Sequence, residues 1–383
     1  MSGCQITDWD DAYSNAAHIQ DSQRWPDEWV ELAARYRADA RCELDIAYGE
    51  HGRQVYDLFL PQGEPAGLLV FIHGGYWLDF DKSYWSHLAQ GGVDSGWAVA
   101  VPSYVLCPEA GIGDIMQMVG AAIRHAADKI HGPIVLTGHS AGGHLAACMV
   151  CDASPLPFDV RQRVVHTVAI SGLHDLRPLL KTQMNDRLKL TGAEATRLSP
   201  ALRLPDPRCR LTAWVGRAER PEFLRQSELI ANVWRGLGAW TQCIVAPEQH
   251  HFDVIDGLCD AHSPLIKTAL AHLPLAQVLR HLLVQHSLIE ACQFSEAKDA
   301  RLPGFGKQLY EFISPLFRDA GPAETRVIKA ACLLHDVSWR AHPDYRHEVC
   351  FDNVTRANLG GLTHPERVFI GVALLHRYKN NRA

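Results

Sequence analysis

The sequence predicts an α/β domain, a mostly parallel sheet covered by helices on both faces, followed by a small all-helical domain. Two observations carry that expectation. Short apolar runs recur between residues 67 and 245 at spacings that leave room for helices, the signature of buried parallel strands. From Ala276 onward no such run occurs, and the remaining segments carry a helical period instead.

Taken in order, residues 1–40 read as helical and polar, with Trp25, Trp29 and Tyr36 as anchors. Strands are expected at Gly67–His73, Trp97–Tyr104, Pro133–Gly138, Val164–Ser171, Leu211–Val215 and Thr241–Val245. Helices are expected over Asp114–Ile130, Ser140–Val150 and Pro221–Arg235. In the tail, Gln277–Gln293, Gly306–Phe317 and Glu324–His335 are helical by period, separated by breakers at Pro303, Gly304, Pro322 and Pro343. The expected division is therefore 1–275 for the α/β domain and 276–383 for the helical one.

Composition narrows the function classes. With 47% apolar residues the 383-residue chain can bury a sizeable core, and a net charge of -6 lacks the basic excess of a dedicated nucleic-acid binder. No secretory leader and no membrane-length apolar run is read, so a cytoplasmic protein without membrane association is expected. The 11 cysteines then read as reduced thiols. The Cys148-x-x-Cys151 spacing has no second pair nearby and reads as core packing rather than a metal or redox site.

The strongest local feature is Gly138-His139-Ser140-Ala141-Gly142, placed directly between a strand and a helix. This is the G-x-S-x-G turn in the strand–turn–helix setting of an α/β hydrolase. The bend is tight enough that the neighbours of the serine must be nearly free of side chain. The helix that follows aims backbone N–H groups at developing negative charge. Ser140 is the expected nucleophile, and His139 is expected to point away from it.

His73-Gly74-Gly75-Tyr76-Trp77 ends an earlier strand. Its glycines can turn N–H groups inward, so Gly74, Gly75 and the N–H of Ala141 are the expected oxyanion donors. Tyr76 and Trp77 either line an aryl-binding pocket or cap the core. The base is expected just after the last strand, where Gln249-His250-His251-Phe252-Asp253 offers His251, with His250 as its competitor. Chain order places the acid between Ser140 and His251. Glu219 is the leading candidate, Asp175 the alternative, and Glu222 reads as a first-turn helix carboxylate.

These motifs together resemble the kynurenine formamidase-like branch of the α/β hydrolases. The resemblance runs over about residues 8–272 and rests on His73–Trp77, GHSAGGHL, SGLHDLRPL, the acid loop followed by PEFLRQSE, and HHFDVIDGL, with the leading DAYSN and VYDLFLP segments. It implies Ser140 as nucleophile, His251 as base, an acid at Glu219 and backbone donors at Gly74, Gly75 and Ala141. The family often carries Asp at the acid position, so Glu219 departs from it by one methylene. The tail, through Arg301–Gly306 and Leu333–Arg346, resembles the C-terminal helical domain of exopolyphosphatase/guanosine pentaphosphate phosphatase proteins. Those proteins carry catalysis on a separate domain absent here, so the tail implies no phosphatase activity. His335-Asp336 is the kind of pair that ligates metal in HD-type phosphohydrolases, but Phe305 stands where an upstream ligand histidine is expected, and a packed polar pair is the preferred reading. Arg340, His342 and Arg346 are read as a solvated basic face, with an anion patch as the alternative.

The expected function is hydrolysis of an aryl formamide or ester of a small acyl group, N-formylkynurenine being the favoured type, with no cofactor and no metal. A broad short-acyl carboxylesterase and a non-catalytic binding protein are the competing readings. The expected partners are a small-molecule acyl substrate and a second copy of the chain as a homodimer.

Overall fold

The computed structural model describes residues 6–271, 289, 292–293, 295–297, 300–318, 320–336 and 364–379. The chain divides into two compact units, Met1–Ala271 and His272–Ala383.

The first unit is built on an eight-stranded sheet. Its strands are β1 (Cys42–Ala47), β2 (Val55–Phe59), β3 (Leu68–Ile72), β4 (Ala98–Pro102), β5 (Ile134–His139), β6 (Val164–Ile170), β7 (Arg210–Gly216) and β8 (Trp240–Ala246). Their spatial order is β1-β2-β4-β3-β5-β6-β7-β8. The strands from β4 to β8 run parallel, whereas β2 is antiparallel to both β1 and β4. All six expected strands are present. The two that sequence period missed, β1 and β2, are the antiparallel ones. CELDIA is an edge strand with every residue at least partly exposed, so it lacks the apolar run of a two-face-covered strand. VYDLF carries Asp57, buried to 1% exposure, where Lys82 meets it at 2.7 Å. A buried ion pair thus breaks the apolar reading of a central strand.

Helices 112–129, 141–148 and 221–236 lie within a residue or two of the expected spans. The apolar face of 112–129 is buried through Ile112, Ile115, Met116, Val119 and Ile123. One core face joins these helices to Leu68, Val70, Ile72 and Leu136, and the other gathers Leu69, Phe71, Val99 and Val135 with Trp29 and Trp85. Residues 1–40 are less regular than expected. A short helix at Trp9–Tyr13 and two single turns precede the long helix Trp25–Asp39.

Strand register brings the carboxyl ends of the parallel strands to one edge: Ile72 opposite Gly138, His139 opposite Ile170, Ile170 opposite Trp214, and Gly216 opposite Ala246. The turns leaving β3, β5, β7 and β8 therefore emerge side by side, as ligand sites in open α/β sheets do.

The described part of the second unit is helical, with helices Phe305–Ile313, Pro322–Leu333 and His364–Lys379. A cluster of Cys292, Val327, Ala330, Leu333, Leu334, Ile370 and Leu374 forms its core. Gly306 permits a close approach there: a Cβ on it would stand 2.7 Å from the Cα of Leu333. Arg326 pairs with Glu366 at 2.6 Å. No described helix is long and apolar enough to cross a membrane.

The core of the first unit holds an unusual set of buried imidazoles. Burial pushes His73, His87, His144 and His166 down to about 4 and His174 to about 3. Each stays neutral when folded and takes up a proton only on unfolding, so each withdraws stability as pH falls below the unfolded value of about 6.5, by up to about 1.4 kcal/mol per pH unit. The thermal midpoint is therefore expected to fall steadily from pH 7 to pH 5. A midpoint flat across that window, followed by calorimetry, would contradict the buried neutral set.

Candidate active site

Ser140 is the hinge between β5 and helix 141–148, and its backbone lies at φ 55°, ψ -117°. A side chain rarely adopts that conformation, and such strain persists only where the surroundings over-determine it. Here the surroundings are glycine contacts. A Cβ on Gly138 would stand 2.1 Å from the carbonyl oxygen of Gly142, and one on Gly142 would stand 1.9 Å from that of Ile72. The helix start is therefore pressed against the ends of β3 and β5, and only glycines fit. The Ser140 N–H donates to the Ile170 carbonyl at 2.8 Å, which ties the turn to β6.

The turn after β3 closes over this hinge. A Cβ on Gly74 would stand 3.1 Å from the Cβ of Ser140, so the Gly74 backbone passes directly beside the serine. Gly75 follows at φ 99°, a glycine conformation. Gly74, Gly75 and Ser140 line one cavity, while Ala141 opens the helix behind it. Of the two aromatic residues that follow, Tyr76 lines the cavity and its hydroxyl donates to the Tyr13 carbonyl at 2.6 Å. Trp77 does not line it. Its ring is fully buried edge-on to His144, with centroids 5.1 Å apart, so it belongs to the core.

His251, 4% exposed, lines the same cavity as Ser140. Its Nδ1 lies 2.6 Å from Oε2 of Glu219. The other oxygen of Glu219 accepts from the Ser171 hydroxyl at 2.5 Å and from the Gly216 N–H at 2.7 Å. With these donors the carboxylate is held as an acceptor, so Nδ1 of His251 carries the proton and Nε2 is left basic. The extra methylene of Glu219 does not prevent the contact, and the turn after β7 is tied to the loop that carries His251: the Ala218 N–H donates to the Gln249 carbonyl at 2.9 Å.

The alternative residues are engaged elsewhere. Asp175 is chelated by Arg177 at 2.8 and 2.9 Å. His250 packs edge-on to Trp25 and takes the N–H groups of Phe252 and Asp253 on Nδ1 at 3.2 Å. Glu222 sits in the first turn of helix 221–236, and also accepts from the Tyr13 hydroxyl at 2.9 Å while Arg225 grips it at 2.8 Å. The His139 ring lies 4.6 Å from that of His251, and the residue lines the cavity. Burial, and then the charge of His251, hold its imidazole well below the ordinary value, so it stays neutral.

The cavity measures about 520 Å³. Beyond the expected residues it is walled by Tyr13, Asn15, Trp29, Phe80, Trp85, Met184 and Phe252. Trp29 is the centre of the aromatic wall, with ring centroids 4.6 Å from Trp85, 5.3 Å from Phe252 and 5.9 Å from Phe80. Sequence reading saw Trp29 only as an anchor. Nothing in helical or strand period marks the Tyr13–Asn15 turn as part of a site.

Elsewhere, Cys148 and Cys151 are buried free thiols, with Cys148 Sγ 3.4 Å from His144 Nε2. His335 is buried with its ring 5.4 Å from Phe305. Among the described residues no group of three or more His, Cys, Asp or Glu is placed to hold a metal ion. Arg340, His342 and Arg346 lie outside the described residues.

Known proteins match this chain in two parts. A kynurenine formamidase from Danio rerio is 32% identical over 248 residues, covering 62% of this chain and 83% of its own length. The chain belongs to the kynurenine formamidase family. A Salmo salar member of the family is 29% identical over 62% of this chain and 83% of its own length. A solved Silicibacter structure, a thioesterase by provisional assignment, is 46% identical with a TM-score of 0.65, covering 69% of this chain and 99% of its own. A family model described as BD-FAE matches residues 56–189, and one described as exopolyphosphatase, C-terminal, matches residues 288–382. This member of the kynurenine formamidase family is thus a serine hydrolase of the α/β-hydrolase fold joined to an exopolyphosphatase-type tail.

Adding a methyl at Gly142 must displace the Ile72 carbonyl or the turn itself. Gly142→Ala is expected to lower p-nitrophenyl acetate turnover by about a hundredfold, the usual cost of a misplacement near 1 Å. Gly192→Ala, where a Cβ meets nothing within 4 Å, is expected to leave turnover unchanged.

Proposed function

We propose that the chain is an arylformamidase acting on N-formylkynurenine-type substrates, with Ser140 as nucleophile, His251 as general base and acid, and Glu219 as the carboxylate that orients the imidazole. The observation that carries the reading is the shared aromatic cavity. Ser140, the Glu219-bound His251 and the Gly74–Gly75 turn all open onto it, and Trp29, Phe80, Trp85 and Phe252 line it. An aryl leaving group finds its apolar surface there.

In this reading the Ser140 hydroxyl attacks the formyl carbonyl while His251 takes its proton. The oxygen, now negative, is held by the N–H groups of Gly74, Gly75 and Ala141, a contribution of about 3–4 kcal/mol per donor. His251 gives its proton to the aryl nitrogen as the C–N bond breaks. Water, deprotonated by the same imidazole, then attacks the formyl-serine, and the imidazolium returns that proton to the Ser140 oxygen as the C–O bond breaks and formic acid leaves, ionising to formate in solvent. Glu219 keeps its hydrogen bond to Nδ1 throughout and stabilises the imidazolium.

The nine described cysteines are all free thiols, which supports a reducing, cytoplasmic setting. The cavity's described lining has no Lys or Arg, which supports a small neutral or ammonium-bearing substrate over a nucleic acid. The domain division at about residue 275 is part of the same reading.

Ser140→Ala is expected to abolish turnover of both N-formylkynurenine and p-nitrophenyl acetate. Glu219→Gln is expected to lower kcat by about a thousandfold or more, by allowing the wrong tautomer of His251, whereas Asp175→Asn changes it by less than about threefold. Equal losses from the two carboxylate variants would overturn the assignment of Glu219, and a larger loss from Asp175→Asn would reverse it. A kcat/KM on N-formylkynurenine no higher than on simple short-chain esters would make the enzyme a short-acyl carboxylesterase.

A further inference from the structure

Asn15 is 6% exposed, lines the cavity that holds Ser140, and has neither its Oδ1 nor its Nδ2 hydrogen-bonded. A buried carboxamide without partners is costly, because its desolvation is not offset by hydrogen bonds. The segment that carries it is firmly held. The Asn15 carbonyl accepts from the His18 N–H at 3.0 Å. Just upstream, Tyr13 is fixed by Glu222 and Tyr76, Asp10 accepts from the Gln183 N–H at 2.7 Å, and Asp11 pairs with Arg220. The orphaned carboxamide therefore sits in the cavity wall on a rigid mount rather than on a loose terminus.

A secondary aryl formamide offers two polar groups near the reacting carbon. Its carbonyl oxygen goes to the Gly74, Gly75 and Ala141 donors. Its N–H needs an acceptor within the wall, where aromatic rings stand beside the polar residues Asp10, Ser14, Asn15, Ser22, Gln23 and Asp79. The carboxylates among the described lining, Asp10 and Asp79, are exposed, and Asp10 is already engaged. Trp29 and Trp85 present unpartnered indole N–H groups, which only donate. Among the buried lining atoms without a partner, two can accept: Asn15 Oδ1 and His139 Nε2. The His139 ring packs against His251. An N–H turned toward it would face the general acid's side and direct the nitrogen lone pair away from the proton that must reach it.

We propose that Asn15 is a substrate-binding residue whose Oδ1 accepts the amide N–H of an aryl formamide, and that this contact makes the site discriminate formamides from the corresponding esters. The inference rests on the arylformamidase reading and names the group that gives it selectivity. An ester has oxygen where the amide has N–H, so it leaves Oδ1 unpaired or opposed by a lone pair. Sites built to pair a substrate N–H discriminate strongly against analogues that lack it.

The test uses formanilide and phenyl formate, which differ only by N–H for O, with the full-length protein. Asn15→Leu, close in volume and without polar atoms, is expected to lower kcat/KM for formanilide by about 10–100-fold and for phenyl formate by less than threefold. Asn15→Asp keeps an acceptor at the same position and is expected to recover at least part of the formanilide rate. Phenyl formate turnover reports on folding in each variant. Equal losses on both substrates at an unchanged thermal midpoint, or formanilide turnover untouched by Asn15→Leu, would overturn the inference while leaving the arylformamidase reading in place. If Asn15→Leu lowers the midpoint, Asn15→Asp alone decides: an unrecovered formanilide rate beside normal phenyl formate turnover overturns it. Wild-type protein that cleaves phenyl formate but not formanilide overturns both.

Discussion

The site depends on one backbone constraint, the forced bend at Ser140. A serine at φ 55° is held there because helix 141–148 starts within contact distance of the ends of β3 and β5. That close approach fixes Gly138 and Gly142 as glycines and places the Gly74 backbone against the serine. The strain is local, and a sheet buried on both faces sustains it. The parallel register does the rest. It delivers the turns after β7 and β8 to the same edge, so Glu219 and His251, 32 residues apart, meet at 2.6 Å.

Much of this was legible in the sequence because parallel strands covered on both faces are written as continuous apolar runs. GLLVFI, PIVLTG and LTAWV could be read directly, and the turn chemistry at 138–142 followed from its strand–helix context. The missed elements fail for physical reasons. β1 is an exposed edge, and β2 hides an Asp57–Lys82 pair that no pattern of hydrophobicity announces. Trp77 was ambiguous because a residue beside a glycine turn can face either way. The left-handed backbone at Tyr76 and Trp77, φ 51° and 59°, sends one ring to the cavity and the other into the core. The contact of the His139 ring with His251 was not legible either, because it joins the bend at the serine to a loop more than a hundred residues away.

The cavity wall was the least legible part. Tyr13, Asn15 and Trp29 come from a leading segment whose position is set by side-chain contacts across 200 residues of sequence, such as Tyr13 with Glu222 and Arg220 with Asp11. Local sequence carries no signal for such contacts. They show that the segment before the sheet is part of the site's walls. The aromatic ring cluster around Trp29 then gives the cavity its apolar character, while the hinge serine and the His251 imidazole are the groups on which the proposed chemistry rests. The tail is built on a separate small core around Leu333 and Ile370, and its likeness to the exopolyphosphatase C-terminal region concerns residues 288–382 alone.

The central claim is that the bend makes one hydroxyl, that of Ser140, the nucleophile, with His251 as its partner. The most direct measurement is intact-mass and peptide mass spectrometry after reaction with an aryl fluorophosphonate. The account predicts one adduct per chain, on the peptide containing Ser140, with labelling slowed strongly in a His251→Gln protein. An adduct on another residue, or labelling at Ser140 indifferent to His251, would contradict it.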